Sequence, residues 1–349
     1  MTVLIVGAGP AGLVLGNALL QAGVDCVIME RRDRSHVENR ARAGITDHRT
    51  RLILERLGLA DGLLGNGTTQ TSCEFRAGDE SFVVPYAEHT GGIGHYVYPQ
   101  QLLVRDLIEA FGKAGGDLRF GTTVDEPPPG SIVACCDGNP SIGLPRNATV
   151  HTRQYPYRWL TVVADVPATG LVYGLHPDGF AGQMPRTEGQ SRFYLQCSPD
   201  ENPLSWNEDK IWTLLARRLP GTTPGRVLHR AILDLSTQVT EPMRHGDVYL
   251  AGDAAHILPP TGGKGMNLAI ADAHTLARAL IHGDVDYTAA RLPDVWRAVT
   301  FADWLLALVN TPLQLPRADI EADYRMRVNR VTDLVESPGW FARAYTGTA

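Results

Sequence analysis

The chain has little that would staple, tether or strongly charge it. Its five cysteines (Cys26, Cys73, Cys135, Cys136, Cys197) are odd in number and include no C-x-x-C pair. Neither a disulfide framework nor a metal site is therefore expected, and a reducing cytoplasm is the compartment that fits. No stretch approaches the roughly 18 apolar residues of a membrane helix. Met1 leads straight into Val3-Leu4-Ile5-Val6, which leaves no room for an export signal, so no membrane partner and no secretion are expected. There is no basic excess either: the formal net charge is −6, which argues against a general nucleic-acid binder while leaving local basic clusters free to hold phosphates. G-x-S-x-G, H-E-x-x-H and P-loop patterns are all missing, so hydrolase and phosphoryl-transfer readings have no footing.

What is present is ordinary globular composition: 44% hydrophobic and 20% charged over 349 residues, enough for one large domain or two interleaved ones. Residues 2–6 read as a buried strand, Pro10 to Gln21 as a helix and Asp25 to Met29 as a second strand, together a βαβ unit. Helices are expected at Asp47 to Leu57 and Gln101 to Lys113, with a strand at Ile132 to Cys135. From Trp159 to Gln196 short apolar segments alternate with Gly and Pro, the pattern of an antiparallel sheet. Trp206 to Leu219 reads as a helix, Arg230 to Val239 as extended and Val248 to Ala251 as a short strand. Beyond Gly262 the chain is mostly helical to about Val335, and Pro127-Pro128-Pro129-Gly130 is a tight turn. The expected architecture is α/β: a Rossmann-like nucleotide fold in two parts (1–150 and 241–285), an inserted antiparallel-sheet domain (151–240) and a helical C-terminal region (286–349).

Two motifs carry chemistry. In GAGPAG, Gly7, Gly9, Ala11 and Gly12 stand between the first strand and first helix, where small residues let a pyrophosphate approach the helix N-terminus. Glu30 ends the second strand at the spacing of an acid that accepts hydrogen bonds from a ribose. The second motif is Ala251-Gly252-Asp253-Ala254-Ala255-His256, followed by Pro259 to Asn267. Here Asp253 can hold a ribityl hydroxyl, and Lys264 with a helix N-terminus near Gly265 supplies positive potential. His256, beside two prolines, is read as a packed or hydrogen-bonded loop residue.

These motifs, with Arg40-Ala41-Arg42-Ala43-Gly44, Cys136-Asp137-Gly138, Tyr155-Pro156, Trp159 and His176 to Phe180, form a collinear set that resembles the single-component flavoprotein aromatic hydroxylases. The resemblance implies a non-covalent FAD held through Glu30, Arg40, Arg42, Gln100, Asp253 and the turn Gly262, Lys264, Gly265, Met266 and Asn267, with Arg31 and Asp137 as further cofactor-binding residues. It implies a small aromatic acid as substrate, bound by Trp159, Gly182, Met184, Arg186, Tyr194 and Thr261. Tyr173, Tyr345 and Pro260 would be catalytic, the two tyrosines drawing the proton from a phenol. Reduction by a nicotinamide, O2 addition to give a C4a-hydroperoxide and attack on the ring would follow.

The bland alternatives are a solvated basic turn at Arg40 and Arg42, a plain helix start at Gln100, a packing aromatic at Tyr194, and an Arg186 facing solvent or Glu188. Gly182, Met184 and Arg186 share one strand face if the segment is regular. The chain departs from the family at Met184, where a serine is expected, at Gly182, where a bulky aliphatic is expected, and at Ser236, where an arginine is expected. Asn139 to Leu144 also lacks the His and Arg offered to the nicotinamide. Arg31, Arg32 and Arg34 favour NADPH over NADH. A flavin oxidase or reductase without oxygen insertion is the runner-up, and the oligomeric state, a homodimer included, stays open.

Overall fold

The computed structural model describes residues 2–40, 42, 44–168, 170–202 and 205–348. Ala41 and Ala43 of the expected basic motif lie outside the described residues. In chain order the elements are β1 (Val3–Val6), α1 (Pro10–Gln21), β2 (Cys26–Glu30), α2 (Arg34–Asn39), β3 (Ile45–Thr46), α3 (His48–Arg56), α4 (Asp61–Asn66), β4 (Thr68–Gln70), β5 (Cys73–Ala77), β6 (Glu80–Val84), β7 (His95–Val97), α5 (Gln100–Lys113), β8 (Asp117–Phe120) and β9 (Val133–Cys135). They continue as β10 (Thr149–Ala164), β11 (Leu171–Leu175), β12 (Ala181–Thr187), β13 (Gln190–Cys197), α6 (Glu208–Arg218), β14 (Val227–Glu241), β15 (Arg244–His245), β16 (Val248–Leu250), β17 (His256–Ile257), α7 (Lys264–His282), α8 (Tyr287–Val309), α9 (Arg317–Glu336) and α10 (Gly339–Thr346). The chain divides into two interleaved compact units. One comprises Met1–Gly67, Tyr98–Arg153 and Thr237–Thr300, the other Thr68–Val97, Gln154–Ser236 and Phe301–Ala349.

The first unit is built on a sheet of order β15-β16-β9-β1-β2-β8, parallel throughout except for the β15 edge. All four residues of β1 are buried, as a parallel strand covered on both faces requires. Pro10 opens α1 at its first turn, where the missing N–H costs nothing. Leu13, Val14, Leu15 and Leu19 of α1 are fully buried, each stabilising the unit by roughly 1.5–3 kcal/mol. Ala11, Ala251 and Ala269 pack together, so the glycine-rich helix and the later motif are joined by small side chains.

The second unit carries most of an eight-stranded sheet, its strands in the order β14-β10-β13-β12-β11-β5-β6. β11 pairs parallel to β5, while β10–β13, β12–β13, β11–β12 and β5–β6 are antiparallel. Side chains alternate across it. Leu160, Val162, Val172, Ala181, Phe193 and Leu195 face α6, whose Ile211 and Leu215 close a core with Trp206. The opposite face holds an aromatic row. Among the described residues no helix is long and apolar enough to cross a membrane, and no His, Cys, Asp or Glu group could hold a metal ion. All five cysteines are free.

Candidate functional site

In the first unit the three motif glycines do different jobs. A Cβ at Gly7, which has φ +107°, would fall 2.3 Å from the Cys136 carbonyl oxygen, and one at Gly12 would fall 2.0 Å from that of Gly7. Both are packing glycines. Gly9 caps α1 without a side-chain hydrogen bond, and a Cβ there would meet nothing within 4 Å. The first-turn amides of α1 thus border open space, the condition for an anion at a helix N-terminus. Ala11, by contrast, is buried in the alanine contact.

Glu30 is half-buried at the end of β2. Its carboxylate accepts from the Ala8 amide at 2.8 Å and from the Arg32 amide at 2.8 Å. Arg42 Nη1 lies 3.8 Å from Asp253 Oδ2, with both side chains half exposed. Partial burial and then Arg42 hold the Arg40 guanidinium below its ordinary value, with Arg31 adding to the crowding and Asp253 and Glu30 opposing it. Arg31, Arg40, Arg42, Glu30 and Asp253 therefore share one electrostatic neighbourhood. Gln100 is the first residue of α5 and half-buried. Asp137 is engaged within its own loop, accepting from Ser141 Oγ at 2.7 Å and the Ile142 amide at 2.8 Å.

The second motif forms a tight turn before α7. Gly262 (φ +73°) and Gly263 (φ +63°) both take the left-handed conformation that favours glycine. Pro260 accepts from the Gly263 amide at 3.0 Å, and Thr261 is buried. Asn267 laces the turn to the segment before α3: its amide nitrogen donates to Ile45 O (2.9 Å) and Gly263 O (2.6 Å), and its oxygen accepts from the Asp47 amide (3.0 Å). Gly265 faces open space, and Met266 is half-buried.

Lys264 departs from expectation. It is only 5% exposed, with Nζ 3.6 Å from Asp47 Oδ2. Burial lowers its pKa and Asp47 works to restore it. Its positive charge is thus largely matched by a carboxylate rather than projected outward, because a buried ammonium without a counter-charge would cost several kcal/mol.

In the second unit the sheet face opposite α6 gathers Trp159, Tyr173, Gly182, Met184 and Tyr194 of the expected residues. Register pairs Phe75 with Tyr173, Tyr173 with Gly182, Gly182 with Tyr194, and Met184 with Arg192. Rings follow one another along it: Phe75 to Tyr173 at 5.1 Å, Tyr173 to Phe180 at 6.4 Å, Phe180 to Trp159 at 4.7 Å and Trp159 to Tyr194 at 5.1 Å. Trp159 is buried and donates from Nε1 to Asn310 Oδ1 at 2.8 Å. Tyr345, on α10, is fully buried, with its hydroxyl 2.7 Å from that of Tyr173. Burial drives both phenols well above their ordinary pKa. His95 Nε2 donates to the Tyr345 carbonyl oxygen at 2.7 Å, and Tyr86 and His95 meet the Tyr345 ring edge-on.

The strand alternation is interrupted between Pro185 and Thr187 by a register shift, so Arg186 sits at an irregularity of β12 and is half-buried. Burial first, and then the Arg192 charge, push its guanidinium down to about 10, against the pull of Tyr194. A Cβ at Gly182 would lie 2.7 Å from Phe180 Cζ, because the Phe180 ring occupies that space. Arg192 was not anticipated, nor were the positions of Phe180 beside Gly182 and of Asp47 beside Lys264. Arg192, two residues before Tyr194, was within reach of the alternation rule.

Residues 1–127 and 131–299 match the family of the FAD binding domain. The chain is 34% identical over 346 residues to p-hydroxybenzoate hydroxylase of Acinetobacter baylyi, covering 88% of this chain and 86% of that protein. It is 26% identical over 305 residues to a 3-(3-hydroxy-phenyl)propionate/3-hydroxycinnamic acid hydroxylase of Escherichia coli, across 79% of this chain but only 54% of that protein. Among solved structures it is similar to p-nitrophenol 4-monooxygenase from Pseudomonas putida, with TM-score 0.79 and 21% identity over 99% of this chain and 98% of that one. It is also similar to aklavinone-11 hydroxylase in complex with FAD and aklavinone, with TM-score 0.72 and 24% identity over 88% and 69% of the two chains. At these identities the structural likeness speaks to the fold.

Proposed function

Because the chain belongs to the FAD-binding family of flavoprotein aromatic hydroxylases, we propose that it hydroxylates a small phenolic or amino-substituted benzoate-like acid, using O2 and NADPH in preference to NADH. The observation that carries this reading is the buried Tyr173–Tyr345 hydroxyl pair, on the unit that also holds Arg186 and Tyr194.

The residues present fit a non-covalent FAD. The uncapped start of α1 beside Gly9 offers amides to a pyrophosphate, and Glu30, Arg40, Arg42 and Asp253 surround it with hydrogen-bonding groups of both signs. Gln100, Asp137, Met266 and Asn267 complete the proposed cofactor set, Asn267 by fixing the turn. When bound and reduced, FAD supplies the activation of O2 that the side chains cannot.

The chain's own residues bind, orient and deprotonate. Arg186 and Tyr194 hold the carboxylate, because a guanidinium fork matches two carboxylate oxygens. Trp159 and Phe180 stiffen the wall behind Tyr194, and Pro260 and Thr261 line the turn. Tyr173 accepts the phenolic proton while passing its own to Tyr345, which in turn releases its hydroxyl proton to water. Their raised pKa values keep both neutral, so they relay a proton rather than store a charge. Met184 offers no hydroxyl to the carboxylate, a loss of about 1.5–3 kcal/mol against a charged hydrogen bond. That favours a relative of 4-hydroxybenzoate over 4-hydroxybenzoate itself.

Preference for NADPH rests on Arg31 and Arg32, since Arg34 is paired with Glu38 at 2.6 Å. Five free cysteines, four of them buried, support a reducing cytoplasm. A panel of substituted benzoates, each scored for stimulated oxidation of NADPH and of NADH by the FAD-loaded protein, tests the reading. At least one phenolic or amino acid should stimulate oxidation, with a lower KM for NADPH. No stimulation by any acid, in a protein that does bind FAD, would remove the substrate class.

A further inference from the structure

We propose that His256 and Asp272 form a latch that positions the Asp253 turn for FAD, a role that rests on the cofactor reading above. Asp272, on α7, is completely buried. Its Oδ2 accepts both from the Gly252 amide at 3.0 Å and from His256 Nε2 at 2.6 Å, while Oδ1 accepts from Arg291 Nε at 2.8 Å. One carboxylate oxygen therefore ties the residue before Asp253 to the side chain three residues after it. Burial works against the Asp272 charge, but His256 and Arg291 outweigh it and hold the carboxyl below its ordinary value.

Backbone bonds also hold the turn: Ala251 N to Cys135 O, Ala255 N to Gly252 O and Thr240 N to Ala255 O. Gly252 has φ +63°, and a Cβ there would press on Ala269 and Ala11 at 3.2 and 3.3 Å. The orientation of its peptide, which leads directly into Asp253, thus depends on what its N–H meets. His256 is 2% exposed, and its Nδ1 has no hydrogen-bond partner among the described residues. The imidazole therefore acts through Nε2 as a donor, not as a catalytic residue. Asp253 itself stays about half exposed toward Arg42, so the latch acts through the backbone and does not touch the cofactor.

The test compares FAD dissociation constants, by flavin fluorescence on the apoprotein, for the parent, Asp253→Ala, His256→Leu and His256→Gln, with folding checked by far-UV circular dichroism. Gln places a donor near the position of His Nε2. His256→Leu should weaken FAD binding by at least about tenfold and alter the visible flavin band, and His256→Gln should restore both to near the parent. Should His256→Leu fail to fold, His256→Asn, polar but too short to reach Oδ2, takes its place with the same expectation. Parent-like FAD affinity in the folded Leu or Asn variant overturns the latch, as does equal loss in the Gln variant. Asp253→Ala separates the two levels. If it binds FAD like the parent, the cofactor reading of this turn fails; if it binds weakly while His256→Leu does not, only the latch fails.

Discussion

Replacing Arg186 by alanine isolates the anionic anchor. The guanidinium is half-buried at the β12 bulge, and burial and Arg192 push its pKa down to about 10 against the pull of Tyr194. A carboxylate bound there gains charge-assisted hydrogen bonds, and truncating one partner of a desolvated charge pair costs about 2–5 kcal/mol. Arg192 remains after the substitution, on the residue paired with Met184, and retains part of the positive potential. The low end therefore applies: about 2–3 kcal/mol, or roughly a 30- to 150-fold rise in the dissociation constant of an aromatic acid. Titrating the flavin absorbance with substituted benzoates measures it. FAD content should not change, because Arg186 belongs to the unit that lacks the glycine motif. Equal dissociation constants for variant and parent would refute the anchor and point to a neutral phenol or amine as the ligand.

Tyr345→Phe should leave acid binding within a few-fold but lower product formed per NADPH by at least about tenfold, in line with the loss of a positioned proton-transfer group; product and H2O2 yields from single turnovers check it, and unchanged coupling would remove the relay. Lys264→Met leaves Asp47 without its buried counter-charge, so stability should fall by about 3 kcal/mol, and adding Asp47→Asn should recover part of it. Denaturant melts decide this, and a Lys264→Met protein as stable as the parent would show the pair to be energetically idle.

The glycine-rich first unit was readable because its signals are local. Pro10 to Gln21 is the helix that the spacing predicts, and Glu30 does close β2. The α/β class and the inserted sheet follow from the same periodicities. What escaped was non-local or irregular. The β12 bulge needs a partner strand to exist, although Pro185 inside a strand pattern was a usable warning. β8 alternates charged with apolar residues over only four positions, too few to separate an edge strand from a loop. α10 is eight residues long, short for a periodic signal, and is held by rings from Tyr86 and Phe75 that precede it by most of the chain. The Lys264–Asp47 and His256–Asp272–Arg291 contacts join elements whose proximity only the fold creates.

The central claim, insertion of oxygen into an aromatic acid, is tested most directly by running the FAD-loaded protein with NADPH, 18O2 and the acid that best stimulates NADPH oxidation, and weighing the product. A hydroxylated acid carrying one 18O atom is predicted. Stimulated NADPH oxidation whose oxygen is recovered entirely as H2O2, with no labelled acid for any member of the panel, would contradict hydroxylation and leave a flavin oxidase.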